Sequence, residues 1–235
     1  MKKLAPLLLL CVSAQLSAQT IFIDFGKTGQ ETSGNWNNFA QLDTYRFGSP
    51  PNTMLTDMID STGANTGVDL VYLSESSGIN VSSGIGGADN SVATSTGYAT
   101  SATRDTMFLN RGENNSISVT FELRDLEANG FYDLSFFASV PTDDRSNTTW
   151  AVGSDSVSLN PGNYTGDTVT LSSVQADASG TLQIVWSNNP DGGSVNDSAH
   201  WNTLEVISVP EPTAFALLTG AAGMLLALNR RPTRR

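Results

Sequence analysis

Apolar residues recur at every second position in one segment after another of this chain. In Ser116–Leu123 (SISVTFEL), Ile117, Val119, Phe121 and Leu123 point one way, and Ser116, Ser118, Thr120 and Glu122 the other. The pattern returns with Tyr132, Leu134, Phe136 and Ala138, with Val157 and Leu159, and with Val169 and Leu171. It returns again with Leu182, Ile184 and Trp186, and with Leu204 and Val206. A period of two is that of a strand with one buried face, and it does not fit a helix. Turn chemistry divides the segments: Glu127 to Gly130 (EANG), Asn160 to Asn163 (NPGN), Asp177 to Gly180 (DASG) and Asn189 to Gly193 (NPDGG). Gln19–Phe25 (QTIFIDF) and Val68–Leu73 (VDLVYL) read as further strands. Many short strands between turns predict an all-β fold, an antiparallel β-sandwich of jelly-roll type. One short helix is expected over Thr53–Asp60, where Met54, Leu55, Met58 and Ile59 share a helical face. Ile79–Ala102 is low in complexity and reads as a long surface loop.

The two ends depart from this pattern. Residues 1–18 hold Lys2 and Lys3, an apolar run from Leu4 to Val12, then small residues as far as Ala18. That is the layout of a secretory signal peptide, and the run is too short for a stable membrane span. Cleavage there removes Cys11, the only cysteine. The mature chain then has no internal disulfide and no thiolate ligand. Residues 19–208 suit one domain with a sizeable core. Beyond them Val209, Pro210, Glu211 and Pro212 form an extended link, since prolines so close together fit neither a helix interior nor a sheet ladder. Residues 213–228 are uncharged. As a transmembrane helix they reach about 24 Å, and local thinning and snorkelling arginines supply the rest of the span. Arg230, Arg231, Arg234 and Arg235, in the basic tail 229–235, hold that end in the cytoplasm.

Charge is divided in the same way. The end segments hold six of the 12 Lys and Arg and one of the 23 Asp and Glu, which leaves the central domain at a formal −16. Such a surface repels nucleic acid and anionic head groups, so no nucleic-acid partner is expected. It accepts neutral sugars and divalent cations.

His200 is the only histidine, so any His-dependent chemistry passes through it. Asp197 and His200 have the spacing of a hydrolase triad, but the nucleophile turn and the alternating helices of such enzymes are missing. No catalytic residue is assigned. Zinc needs nitrogen or sulfur ligands that one His and no remaining Cys cannot supply. Asp143, Asp144, Asp191 and Asp197 lie in loops at the expected sandwich ends, where oxygens could gather around Ca²⁺; turn chemistry is the preferred reading for each. Trp36 with Asn35 and Asn37, Trp150 with Arg145, and Trp201 with His200 each set an aromatic ring beside polar groups in or next to a loop. These are the candidate carbohydrate contacts. Core packing is the competing reading for each Trp, and the preferred one for Trp150, Trp186 and Trp201.

The stretches IDFGKTGQETSGNWNNF, MIDSTGANTGVDL, LEANGFYDLSFFAS, TTWAVGSDSVSL, ASGTLQIVWSN and HWNTLEVISVPEP together resemble a family of bacterial secreted sandwich domains. That family is related in fold to malectin-like and galactose-binding-like jelly rolls. The similarity covers most of Thr20–Ser208 and rests on strands and turns, so what it implies is the fold. The Pro-Glu-Pro motif, short apolar helix and terminal Arg cluster, in that order, resemble the PEP-CTERM sorting signal. That resemblance implies passage through the secretion machinery and removal of the tail by an exosortase-type membrane protease. The expectation is a non-enzymatic protein of the cell surface or extracellular matrix that binds exopolysaccharide, held in the membrane until its tail is cut. A purely structural surface or biofilm protein, and a polysaccharide-degrading enzyme, are the two alternatives. No cofactor is expected apart from Ca²⁺.

Overall fold

The computed structural model describes residues 18–41, 54–75, 79–82, 97–109, 118–140, 147–162, 167–189 and 199–210. In chain order the elements are β1 (Thr20–Lys27), β2 (Asn37–Gln41), β3 (Met54–Leu55), β4 (Asp69–Glu75) and β5 (Ile79–Ser82), then the helix α1 (Thr100–Arg104) and β6 (Thr106–Leu109). There follow β7 (Ser118–Arg124), β8 (Phe131–Ala138), β9 (Asn147–Val152), β10 (Asp155–Leu159), β11 (Asp167–Gln175), β12 (Leu182–Asn189), β13 (His200–Trp201) and β14 (Thr203–Val209). Each segment that alternates in the sequence lies, in its described residues, in one of these strands. They form a five-stranded sheet in the order β11-β8-β14-β1-β2, a six-stranded sheet β10-β9-β12-β7-β4-β3, and a three-stranded sheet β13-β6-β5.

The alternation decides which side chains meet. Ile21, Ile23, Phe25, Leu134, Phe136, Leu204 and Val206 of the first sheet share one buried cluster with Val119, Phe121, Leu123, Trp150, Ile184 and Trp186 of the second. Two sheets packed face to face over such a cluster make a β-sandwich. Trp201 sits at its centre. It stacks on Phe25 at 4.1 Å and lies 5.5–5.9 Å from Phe121, Phe136, Trp150 and Trp186. Its indole N–H donates to the Thr203 carbonyl at 2.9 Å, so the ring is buried without an orphan donor.

Three expectations are corrected. The sandwich is not wholly antiparallel, because β1 and β2 pair in parallel from Ile23↔Asn37 to Lys27↔Gln41. Residues 28–36 make the return, a short path because β2 starts beside the middle of β1. The described part of the expected helix Thr53–Asp60, from Met54 on, is not helical. Met54 and Leu55 pair with Val71 and Leu70, and Ile59 bridges to Asn65. Asp57 takes a left-handed φ of 48°, and its carboxylate accepts Gly67 N–H at 3.0 Å and Asn65 Nδ2–H at 2.7 Å. Asp60 Oδ1 likewise accepts from Thr62 and Ala64 backbone N–H. These short acids offer the backbone turns that outcompete a helix ladder. Finally, the expected loop Ile79–Ala102 contains β5 and the start of α1.

The first and last described strands lie side by side. β1 pairs with β14 from Thr20↔Ile207 to Asp24↔Thr203. Gln19 and Ser208 close the pair: Gln19 N–H donates to Ser208 Oγ at 2.7 Å and Ser208 N–H to the Gln19 carbonyl at 2.9 Å. β14 runs on to Val209, which pairs with Phe131. Val209 therefore belongs to the last strand and not to the expected link. Among the described residues no helix is long and apolar enough to cross a membrane. Residues 1–17 of the expected signal peptide lie outside the described residues, as do Glu211, Pro212, the apolar segment 213–228 and the four terminal arginines.

Candidate functional site

Side chains that face away from the core on the five-stranded sheet align in rows across it. One row runs Phe22, Glu205, Ser135 and Thr170; the next runs Asp24, Thr203, Phe137 and Thr168. The second row is not wet. Asp24, Thr203 and Phe137 are 2%, 1% and 0% exposed. Residues 97–105 account for this cover, for they are fastened to the face at several points. The Tyr98 ring meets Phe137 edge-on at 6.1 Å, and its hydroxyl donates to Glu205 Oε2 at 2.9 Å. Thr32 Oγ1 donates to Ser101 Oγ at 2.9 Å. Asn202 Nδ2 donates to the carbonyls of Thr103 and Asp105 at 3.2 and 2.6 Å, while Asn202 Oδ1 accepts Ser139 N–H at 2.9 Å. Gly26 lets the segment come this close: a Cβ there would stand 2.2 Å from Asp105 Oδ2.

Beside this cover Phe22, Trp36 and Tyr98 remain half-buried. Trp36 stacks on Phe22 with centroids 5.1 Å apart and planes 28° apart. Tyr98 meets Trp36 and Phe22 edge-on at 6.1 and 6.2 Å. Burial, reinforced by the Glu205 carboxylate, holds the Tyr98 phenol well above its ordinary range, so it stays a neutral donor. Asn35 is exposed next to Trp36, and its Nδ2 donates to the Ser61 carbonyl at 2.9 Å. Asn37 is a correction. Its Nδ2 donates to the Phe22 and Ile59 carbonyls at 3.0 and 2.8 Å and its Oδ1 accepts Ile59 N–H at 2.9 Å, so this amide pins the backbone. Together the rings, Asn35 and Glu205 offer an apolar surface rimmed by donors and acceptors.

Two carboxylates lie beneath the cover. Asp24 Oδ2 accepts Thr32 N–H at 3.1 Å and Asp105 Oδ2 accepts Lys27 N–H at 2.8 Å. The other oxygen of each is buried without a hydrogen-bond partner. Burial, then the Asp105 charge, pushes Asp24 up to about 7. Burial pushes Asp105 up to about 6, against the Lys27 N–H and Arg104. Sealed at 2% and 0% exposure, the pair cannot touch a ligand on the surface. Sequence reasoning missed both residues. Asp24 occupies an outward position of an alternating strand, and nothing local announces that distant residues will cover it.

The other aromatic candidates leave the surface altogether. Trp150 and Trp201 are 0% exposed and His200 is 3% exposed. The His200 ring stacks on Phe108 at 5.5 Å. Trp150 and Trp201 belong to the core cluster and His200 is buried against Phe108, which removes all three residues from any surface platform. Arg145, Asp143, Asp144, Asp191 and Asp197 lie outside the described residues. Among the described residues no three His, Cys, Asp or Glu side chains are grouped to hold a metal ion. The sequence also gave no sign of a polar cleft of ≈ 580 Å³ lined by Glu122, Gln175, Asp177, Ser179, Thr181 and Gln183. Glu122 is held there by Gln183 Nε2 at 3.0 Å and by Arg124. Among the described residues no aromatic ring lines this cleft.

No protein-family model matches the chain, and no curated protein matches it. Among solved structures it is similar to the ANX2 ectodomain from Arabidopsis thaliana, at a TM-score of 0.39 and 9% identity over 69% of this chain and 56% of that one. The ANXUR2 extracellular domain from Arabidopsis thaliana gives 0.39 and 15% over 82% of this chain and 42% of that one. The plant receptor-like kinase FER gives 0.37 and 10% over 74% and 55%. The chain thus spans about half the length of each. At that level of similarity the function has to be argued from the residues of this chain alone.

Proposed function

We propose that this is an exported, non-enzymatic carbohydrate-binding domain, a sandwich of jelly-roll type, whose binding face is the Phe22–Trp36–Tyr98 cluster. The observation that carries the reading is the half-buried indole stacked on Phe22 beside Glu205 and Asn35. A sugar ring has C–H faces that pack on an aromatic plane and hydroxyls that need directed partners. Indole supplies the first; Glu205, Asn35 and the Tyr98 hydroxyl supply the second. The formal −16 of the domain favours neutral over anionic polysaccharide. We further propose delivery to the cell envelope through the signal peptide and exosortase-type processing at the tail. The end of β14 at Val209 supports this, because it leaves Pro210 as the first residue outside the sheet.

A glycan array, followed by affinity measurement on the best neutral polysaccharide, tests the binding reading. Trp36→Ala should abolish retention, and Gln183→Ala in the cleft should leave it unchanged. Loss in the cleft variant alone moves the site to the cleft. An array without any retained glycan favours the purely structural surface protein.

A further inference from the structure

We propose that Asp24, Asp105 and Thr203 form a site for a hard divalent cation, Ca²⁺ by preference, which clamps residues 97–105 onto the five-stranded sheet. The placement follows from the strand. Positions 24 and 26 face the same side of β1, about 6.6 Å apart. The Asp105 carboxyl fills the space that a side chain at Gly26 would take, with atoms 2.2–2.9 Å from that Cβ position. The two carboxyls are therefore neighbours, and Asp105 is the first charge to act on Asp24. Thr203 faces Asp24 directly across the β1–β14 ladder, which sets their Cβ atoms about 5 Å apart. Asp24 Oδ1, Asp105 Oδ1 and Thr203 Oγ1 are each buried without a hydrogen-bond partner.

Two buried carboxylates, each with one oxygen hydrogen-bonded and the other without a partner, are costly. Neither forms an ion pair. Arg104 acts on Asp105 from a distance, and its own Nε is buried without a partner. A donor set made only of oxygen suits Ca²⁺, which completes its shell with carbonyl or water oxygens and so does not need three acidic side chains. The cation would lie under the segment that carries Tyr98. It would thus underpin the aromatic face without touching a ligand there.

The test uses the full chain in a neutral detergent, with no sugar present. After EDTA, added Ca²⁺ should raise the melting temperature by several degrees and saturate. Tb³⁺ should show tryptophan-sensitised luminescence at one site that Ca²⁺ displaces. Asp24→Asn keeps the acceptor for Thr32 N–H and removes one charge. Without metal it should melt at or above the native chain; with Ca²⁺ it should melt below it. That crossover separates a cation site from a merely structural aspartate. Identical native melts in EDTA and Ca²⁺ with no Tb³⁺ signal overturn the proposal, and so does a Ca²⁺ response that Asp24→Asn leaves intact. Should Asp24→Asn fail to fold, Thr203→Val takes its place, with weaker Tb³⁺ binding expected and unchanged binding overturning the assignment.

Discussion

Trp36 and Trp201 present the same ring in opposite settings, and substitution should tell them apart. Trp201 packs against five aromatic rings and is 0% exposed, so Trp201→Ala opens a cavity and should cost about 3–5 kcal/mol in denaturant unfolding. Trp36 is half-buried and has Phe22 and Tyr98 beneath and beside it. Trp36→Ala should cost about 1–2 kcal/mol, the order of a lost ring pair plus part of its area, and eliminate glycan retention. A retained ligand with a loss of core size would show that the indole serves packing alone. Gly26 makes the sharpest single-atom case. Gly26→Ala drives a methyl into the Asp105 carboxyl, so it should destabilise by about 1–3 kcal/mol and loosen residues 97–105 in hydrogen exchange. Its neighbour Asp24 shows why such residues escape a reading of sequence. Alternation assigns it to solvent, and its burial comes from a segment that no local pattern links to it.

At the scale of elements, what the sequence made legible was whatever depends on near neighbours. β7, β8, β12 and β14 follow from their period of two, and the turn between β11 and β12 follows from Asp177 to Gly180. There Asp177 Oδ1 accepts from Ser179 Oγ, Ser179 N–H and Thr181 N–H at 2.6, 2.8 and 3.0 Å. These bonds, the Ser179 hydroxyl first, lower the Asp177 pKa below its ordinary value. Because the folded pKa is depressed, the contribution is present above the unfolded value, about 3.9, and is lost as pH falls through the folded one. Asp177→Ala should therefore lower the urea midpoint at neutral pH, and the difference from the native chain should vanish in strong acid. A constant difference would mean that the carboxylate charge plays no part in the turn. The short strands were not legible. β3 and β13 pair over two residues each, too few to show a period, and β3 lies where Met54, Leu55, Met58 and Ile59 imitate a helical face. Asp57 and Asp60 decided that segment through side-chain bonds to the backbone, a competition that apolar spacing does not register.

For the whole molecule, the pairing of Gln19 with Ser208 brings the two ends of the domain together. The last strand closes on β8 with Val209 opposite Phe131. A fragment of residues 18–210 should melt cooperatively with a β-rich circular dichroism spectrum, and a disordered product would refute the boundary. The tail makes a separate prediction. Replacing Pro210, Glu211 and Pro212 with alanine leaves the apolar run and the arginines intact, so membrane insertion should persist while trimming stops. In a host with the matching protease the native chain should lose about 2–3 kDa at its mean residue mass, 24.9 kDa over 235 residues. Mass spectrometry that finds Arg235 still present on the native protein there would reduce the segment to a plain anchor. Of the candidate site, Trp36 and Asn35 were legible because a ring among amides in a turn is a local signal. Phe22, Tyr98 and Glu205 were not, since only the β1–β14 ladder and the crossing segment bring them together. That ladder also decides how the domain bears load. Tension from an anchored tail would enter at Val209, on the central strand of the sheet, bonded to β8 on one side and β1 on the other. Pulled along its length, β14 loads both ladders in shear, so their bonds must fail together and cannot peel one by one. A polymer held at Trp36 would pull on the same sheet through β2 and β1, and the force between polymer and membrane would run across neighbouring strands without ever crossing the core.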